Sequence, residues 1–221
     1  MATAVTPRPA RTRPDSKPRS LGRRALQFSV GLSLCAVAVW LTLQVGLGLS
    51  PWDVLHAGLV TATGASFGTV VVAVGVAVLG VSALLGVRPG IGTLVNLVVV
   101  GLGLDWLLAT SWLDTLPQAP LAVRLLVLVG AVAVLGIGGA LYIGSGFGAG
   151  PRDSLMVACH RKSVPLGPAR CLIELSVLFA GWLLGGPVGI GTVVVALGLG
   201  PAVSASFRLL GQDPSAGRDR R

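Results

Sequence analysis

Two acidic motifs, S-P-W-D at residues 50–53 and G-P-R-D at residues 150–153, carry residue types that can bind or transfer charge. Ser or Gly as the cap, Pro at the first helical position and an acid at the third form a capping-box-like helix start. If such helices begin inside a membrane, their amino ends and the unwound backbone before them line a central site. Asp53 and Asp153 are then candidates for proton or cation coupling, because intramembrane carboxylates are costly unless used or paired. Capping and coupling are compatible readings.

A third acid, Glu174, lies well inside an apolar run. Arg170 precedes it by four residues, so the two side chains can form an ion pair on a helix. This pair is either a local structural contact or part of a gate or solute site. The predicted substrate or ion pathway comprises Gly46, Gly48, Asp53, Gly146, Gly148, Arg152, Asp153, Arg170 and Glu174.

Other chemistries find little support in the sequence. G-x-S-x-G at 64–68 matches a nucleophile elbow in form, but that elbow needs a strand before its serine. His56 and His160 are expected at opposite membrane interfaces, where they make neither a catalytic base for this serine nor a metal site. Asp105 beside Trp106 indicates an interface anchor. We therefore expect no enzyme activity, no metal and no cofactor.

The composition is that of an integral membrane protein. Of 221 residues, 53% are hydrophobic and 32 are glycine, against 17 Lys or Arg and 8 Asp or Glu. Eight of these charges lie in residues 1–24 and six in 208–221. So few charges between the tails exclude a water-soluble domain of this size. The net charge of +9 is explained by membrane orientation and lipid headgroups, so no nucleic-acid partner is expected.

Six apolar runs are long enough to span a bilayer. They are expected at 26–45, 67–87, 91–111, 122–144, 166–185 and 188–207. Two segments, 51–63 and 151–163, are too short to cross and are amphipathic or re-entrant candidates.

The two halves of the chain match each other. Residues 46–55 and 146–155 are identical at five of ten positions, and residues 66–101 match 165–200 at twelve of 36. Each half then contains three spans and one short segment. Because three is odd, tandem copies must insert with opposite orientation. The predicted fold is therefore all-α, with six transmembrane helices in two inverted three-span repeats.

The cations support this topology. With the amino terminus inside, sixteen of the 17 Lys and Arg residues lie on the cytoplasmic side and only Arg124 lies outside. The same rule accounts for Trp52 in the outer motif where its twin has Arg152. The predicted parts are a disordered basic cytoplasmic tail (1–24), membrane repeat one (25–112), membrane repeat two (121–208) and a second cytoplasmic tail (209–221).

The paired motifs G-x-G-x-S-P-W-D and G-x-G-A-G-P-R-D, each followed by G-I-G-T, resemble the YczE-like bacterial membrane proteins of the YczE/YyaS/YitT grouping. The resemblance covers residues 25–210 and implies a multi-pass protein of the bacterial plasma membrane. It brings no settled biochemical activity.

Two functions remain open from the sequence. The first is a secondary transporter or permease for a small solute, bound between the repeats. The alternative is a non-transporting accessory protein that assists another membrane system, with an intramembrane hydrolase as a remote third. The expected partners are the lipid bilayer, a small solute and, in a homo-oligomer, further copies of the chain.

Overall fold

The computed structural model describes residues 20–87, 90–148, 150–152, 154–155 and 166–211. Every regular element within these ranges is helical, which confirms the all-α class. The helices are α1 (Leu21–Val45), α2 (Pro51–Thr63), α3 (Phe67–Leu84), α4 (Ile91–Leu108), α5 (Leu121–Gly144), α6 (Leu166–Leu183) and α7 (Ile190–Leu209). A short 3-10 helix at Leu116–Gln118 joins α4 to α5. Most of both predicted tails lies outside the described residues.

Five of these helices, α1, α3, α4, α5 and α7, are long and apolar enough to cross a membrane. Each coincides with a predicted span to within a few residues. Their outer faces expose large apolar side chains, such as Leu102 on α4, Leu126 on α5 and Leu197 on α7. A surface of this kind is stable against lipid tails and unstable against water. The chain is therefore built as a membrane protein.

Local side-chain signals set where the helices begin. The hydroxyl of Ser50 accepts a hydrogen bond from the Asp53 amide at 3.3 Å, so S-P-W-D starts α2 as predicted. Ser66 caps α3 in the same way through the Thr69 amide. Such caps satisfy amide groups that the first helical turn leaves without partners. The second motif also begins a helical stretch at residues 151–152.

Helix α1 packs against α4 and α5, α5 also packs against α7, α2 packs against α6, and α3 packs against α4. Small residues allow the closest approach, between α1 and α5. A methyl group on Gly31 would lie 2.6 Å from the backbone nitrogen of Tyr142, and one on Gly138 would lie 2.9 Å from the carbonyl oxygen of Gly31. Glycine at such positions lets two helix backbones touch, as is common in membrane helix pairs. The two halves thus meet along α1 and α5.

Candidate functional site

A cavity of about 450 Å³ lies between the two halves of the protein. All seven helices contribute side chains to its wall, and so does the start of the second motif. Most of the lining side chains are apolar, with Val39, Val71, Val100 and Val203 as examples. The ionisable groups in the described part of the wall are Asp53, His56, Arg152, Arg170 and Glu174, together with Cys35 and Tyr142.

The carboxylate of Asp53 is the most enclosed charged group of the cavity, at 3% exposure. Its Oδ2 accepts a hydrogen bond from the Ser50 hydroxyl at 2.5 Å. Its Oδ1 lies 3.3 Å from Nδ1 of His56 and 3.4 Å from a terminal nitrogen of Arg152. A buried carboxylate is stable only when such donors replace its water. Asp53 therefore holds a polar cluster together, beyond its place in the first turn of α2.

His56 lies in this cluster and is buried to the same degree as Asp53. Its ring packs edge-on against Phe67, with the ring centres 5.9 Å apart. The structure thus shows a buried polar contact that was not expected, while the depth of His56 relative to the membrane interface stays a prediction. The residue was overlooked as a site candidate although its spacing of three from Asp53 on one helix could have indicated it.

Arg152 reaches the cluster from the other half of the chain. Its guanidinium lies over the ring of Trp52, 5.2 Å from the ring centre, in a cation–π contact. The same guanidinium makes the 3.4 Å contact with Asp53, and 40% of the side chain stays exposed. Trp52 and Arg152 hold equivalent positions in the two motifs, so the halves meet here through matching residues.

Arg170 and Glu174 form the predicted ion pair on α6, with the arginine Nε donating to Glu174 Oε1 at 2.9 Å. Both side chains line the cavity. Asn96 of α4 also contributes to the wall. Asp153 and His160 lie outside the described residues, so the role of Asp153 as a second coupling carboxylate, equivalent to Asp53, stays a prediction.

The four candidate glycines are not among the residues that line the described part of the cavity; they lie in loops that contact the other half. A methyl group on Gly48 would lie 2.5 Å from the backbone nitrogen of Gly189, at the start of α7. The carbonyl of Leu47 also accepts a hydrogen bond from the Gly191 amide at 2.7 Å. In the other half, a methyl group on Gly148 would lie 3.1 Å from Oγ1 of Thr93, at the start of α4. Each G-x-G loop therefore packs on the G-I-G-T turn of the opposite half.

Two arginines bind the helix ends that precede these loops. Arg124 donates from Nε to the carbonyl of Val45 at 2.9 Å and from a terminal nitrogen to that of Gly46 at 2.8 Å. Arg24 makes the matching bonds to Ser145 and Gly146, at 2.8 and 3.2 Å. Carbonyl ends of helices attract cations because of the helix dipole and unpaired oxygens. Neither arginine was a site candidate, although their separation of 100 equals the offset of the motifs.

Asp105 has a role beyond the one expected. Its Oδ1 accepts from the Gly68 amide at 2.7 Å, and its Oδ2 lies 2.6 Å from the Ser66 hydroxyl. It thus caps α3 from α4, while its assignment as an interface anchor stays a prediction. Ser66, the serine of the G-x-S-x-G match, is occupied in this cap. Within the described ranges, no three His, Cys, Asp or Glu side chains lie together where they could hold a metal ion.

Apolar outer faces and helices long and apolar enough to span a bilayer define this chain as an all-helical membrane protein, with a mostly apolar internal cavity that contains charged groups. It belongs to the family described as "Family of unknown function (DUF6198)", which matches residues 22–208. The chain is a YczE-like bacterial membrane protein, as the motifs indicated.

Three relatives illustrate this membership. An uncharacterized protein of Haemophilus influenzae is 35% identical, with 83% of each chain aligned. The uncharacterized membrane protein YczE of Bacillus subtilis is 34% identical over 77% of this chain and 79% of its own length. The uncharacterized protein YyaS of the same organism is 29% identical over 78% of this chain and 87% of its own length. No solved structure is significantly similar to the chain.

Proposed function

We propose that this protein is a secondary transporter of the plasma membrane that moves a small solute through the cavity between its two halves. The observation that carries the proposal is the placement of charge. Two arginines, two carboxylates and a histidine line one cavity enclosed by apolar helices. Burying charged groups among membrane-embedded apolar helices costs free energy, and in membrane proteins such groups mark ion or solute pathways.

The proposed topology has six spans, because α6 is added to the five helices named above, and it places both termini in the cytoplasm. Helix α6 has 18 residues and lies at the predicted fifth span, and its charged pair faces the cavity rather than lipid. The sixteen-to-one distribution of cations supports this orientation. Reporter fusions at the two ends test it, and an external position of either end contradicts the six-span count.

The proposed arrangement of the halves is an inverted repeat. Support comes from contacts that occur twice with exchanged roles. Arg24 binds the end of α5 while Arg124 binds the end of α1, and each G-x-G loop packs on the opposite G-I-G-T turn. Three spans per half then require opposite orientations, the architecture in which many transporters bind solute between their repeats.

The decisive experiment is flux in proteoliposomes. The purified protein is tested against a metabolite panel, for uptake and efflux, with and without a pH gradient. Asp53→Asn is the cavity variant, and Asp114→Asn, at an exposed loop residue, is the matched control. We expect flux of at least one solute that Asp53→Asn reduces and Asp114→Asn leaves intact.

Absence of flux for the whole panel, with protein that remains folded, would refute the transporter and favour the non-transporting accessory role. Flux that is unaffected by Asp53→Asn would move the pathway away from the cavity. We propose no enzyme activity, and the capping bonds of Ser66 support this for the one serine motif in the sequence.

A further inference from the structure

We infer that the cavity binds a small organic monocarboxylate with an apolar body, and that Arg152 holds its carboxylate. This ligand is the substrate class of the proposed transporter, so the inference rests on that function. Binding is nevertheless measurable without flux, which keeps the two claims separable.

Arg152 has the capacity for such a ligand. A guanidinium has five N–H donors in a planar fork that matches a carboxylate. Within the part of the chain that the structure describes, its one hydrogen bond is the long 3.4 Å contact with Asp53. Trp52 lies against the guanidinium as a platform and fixes its position. With 40% of its side chain exposed, Arg152 presents uncommitted donors to the cavity.

Trp52 offers a second donor at the same place. Its indole N–H is buried and has no hydrogen-bond acceptor among the described residues. Burying such a group without a partner costs about 1–3 kcal/mol. The nitrogen has almost no accessible surface, so a ligand oxygen would reach it only after a small movement of the wall.

The two carboxylates in the described part of the wall, those of Asp53 and Glu174, are already partnered, which argues against a cationic ligand. Asp53 is surrounded by Ser50, His56 and Arg152. Glu174 accepts from Arg170 at 2.9 Å. An entering ammonium group would have to displace these donors. An entering carboxylate would instead accept from the guanidinium N–H groups that Asp53 and Glu174 do not use.

The rest of the cavity wall determines the size and polarity of the uncharged part of the ligand. Valine and leucine side chains from α3, α4, α5 and α7 face the cavity, including Val74, Leu97, Leu135 and Leu199. A volume of about 450 Å³ is at the small end of ligand pockets. A compact apolar body with a single charged end fits both the size and the lining. A multiply charged anion would place its second charge against hydrocarbon or have to compete with Glu174 for Arg170, and both are costly.

The test is equilibrium binding of radiolabelled benzoate to the full chain purified in detergent. Unlabelled phenylacetate should compete, while benzamide, benzylamine and inorganic phosphate should not. Arg152→Gln should weaken benzoate binding by at least about tenfold, the scale of a lost charge-assisted hydrogen bond. Arg152→Lys, which keeps the charge but loses the fork, should also weaken it. Arg23→Gln, at an exposed arginine outside the cavity, is the matched control and should bind normally.

Several outcomes would overturn the inference. The first is that benzoate does not bind. The second is that benzamide, benzylamine or phosphate competes as strongly as phenylacetate does. The third is that folded Arg152→Gln binds benzoate with unchanged affinity. If Arg152→Gln does not fold, Arg152→Lys decides, and wild-type affinity there overturns the inference. Arg152-dependent binding without flux in liposomes would refute the transporter and leave the site standing. Flux of other solutes without benzoate binding would support the transporter and refute the monocarboxylate site.

Discussion

Gly48 offers the sharpest test of how the two halves fit together. Its φ of +102° lies in a region that side-chain-bearing residues rarely adopt. A methyl group there would also lie 2.5 Å from the backbone nitrogen and 2.8 Å from the Cα atom of Gly189. Because these are backbone atoms at the start of α7, they cannot move aside as a flexible side chain would. Gly48→Ala therefore carries two costs, backbone strain and a clash between the halves.

The two costs can be separated with a second glycine. Gly64 also has a positive φ, +71°, but a methyl group there meets no atom within 4 Å. Gly64→Ala should cost only the strain, about 1–2 kcal/mol. Gly48→Ala should add about 1–3 kcal/mol for overpacking. Gly148→Ala should fall between the two, because its φ of +141° is more strained than that of Gly64 and its methyl group would lie 3.1 Å from Oγ1 of the buried Thr93.

Thermal unfolding of the three variants in one detergent gives the measurement. The expected order of destabilisation is Gly48→Ala first, then Gly148→Ala, with Gly64→Ala the smallest. If Gly48→Ala loses no more stability than Gly64→Ala, the loop does not press on α7 and the described contact between the halves is wrong.

Three further substitutions test other contacts by the same unfolding measurement. Arg124→Gln should lose about 1.5–3 kcal/mol, because two charge-assisted bonds to the end of α1 disappear; stability equal to wild type would exclude a structural role for these bonds. Ser50→Ala should lose about 1–2 kcal/mol, since it removes the cap of α2 and a donor to Asp53; a loss confined to activity would contradict this. Gly31→Ala should destabilise by forcing α1 from α5, whereas Gly130→Ala, with open space around it, should be neutral or stabilising; equal effects would refute the close helix contact.

The helices and their starts could be predicted because their signals are local. Apolar runs between Gly and Pro breaks gave the span positions, and S-P-W-D gave the start of α2. The Arg170–Glu174 pair was predictable for the same reason, since a spacing of four fixes the neighbour on a helix. Each of these depends on residues within one or two helical turns of each other.

The site itself depends on contacts between distant residues, and these were harder to foresee. An internal match tells which residues are equivalent in the two halves, but it does not tell which ones touch. Arg24 and Arg124 are equivalent and bind opposite halves, over sequence separations of 121 and 79 residues. The contact of His56 with Asp53 was not predicted, although the two residues are three apart on one helix. A buried polar cluster is visible only once the packing of the helices is known.

The difference between Trp52 and Arg152 has a physical reason that follows from their contact. Orientation in the membrane accounts for a cation at one position and none at the other, but these two side chains also stack at 5.2 Å. Two arginines at that separation would repel by roughly 3 kcal/mol at an effective dielectric constant of 20. Two tryptophans would leave Asp53 without the cation that faces it. Where matching positions of the two halves meet, unlike residues satisfy the contact best, and the unequal pair gives the cavity a single guanidinium at this point. The asymmetry therefore places one cation beside Asp53, and in the proposed site Arg152 is the residue that meets the charge of the ligand.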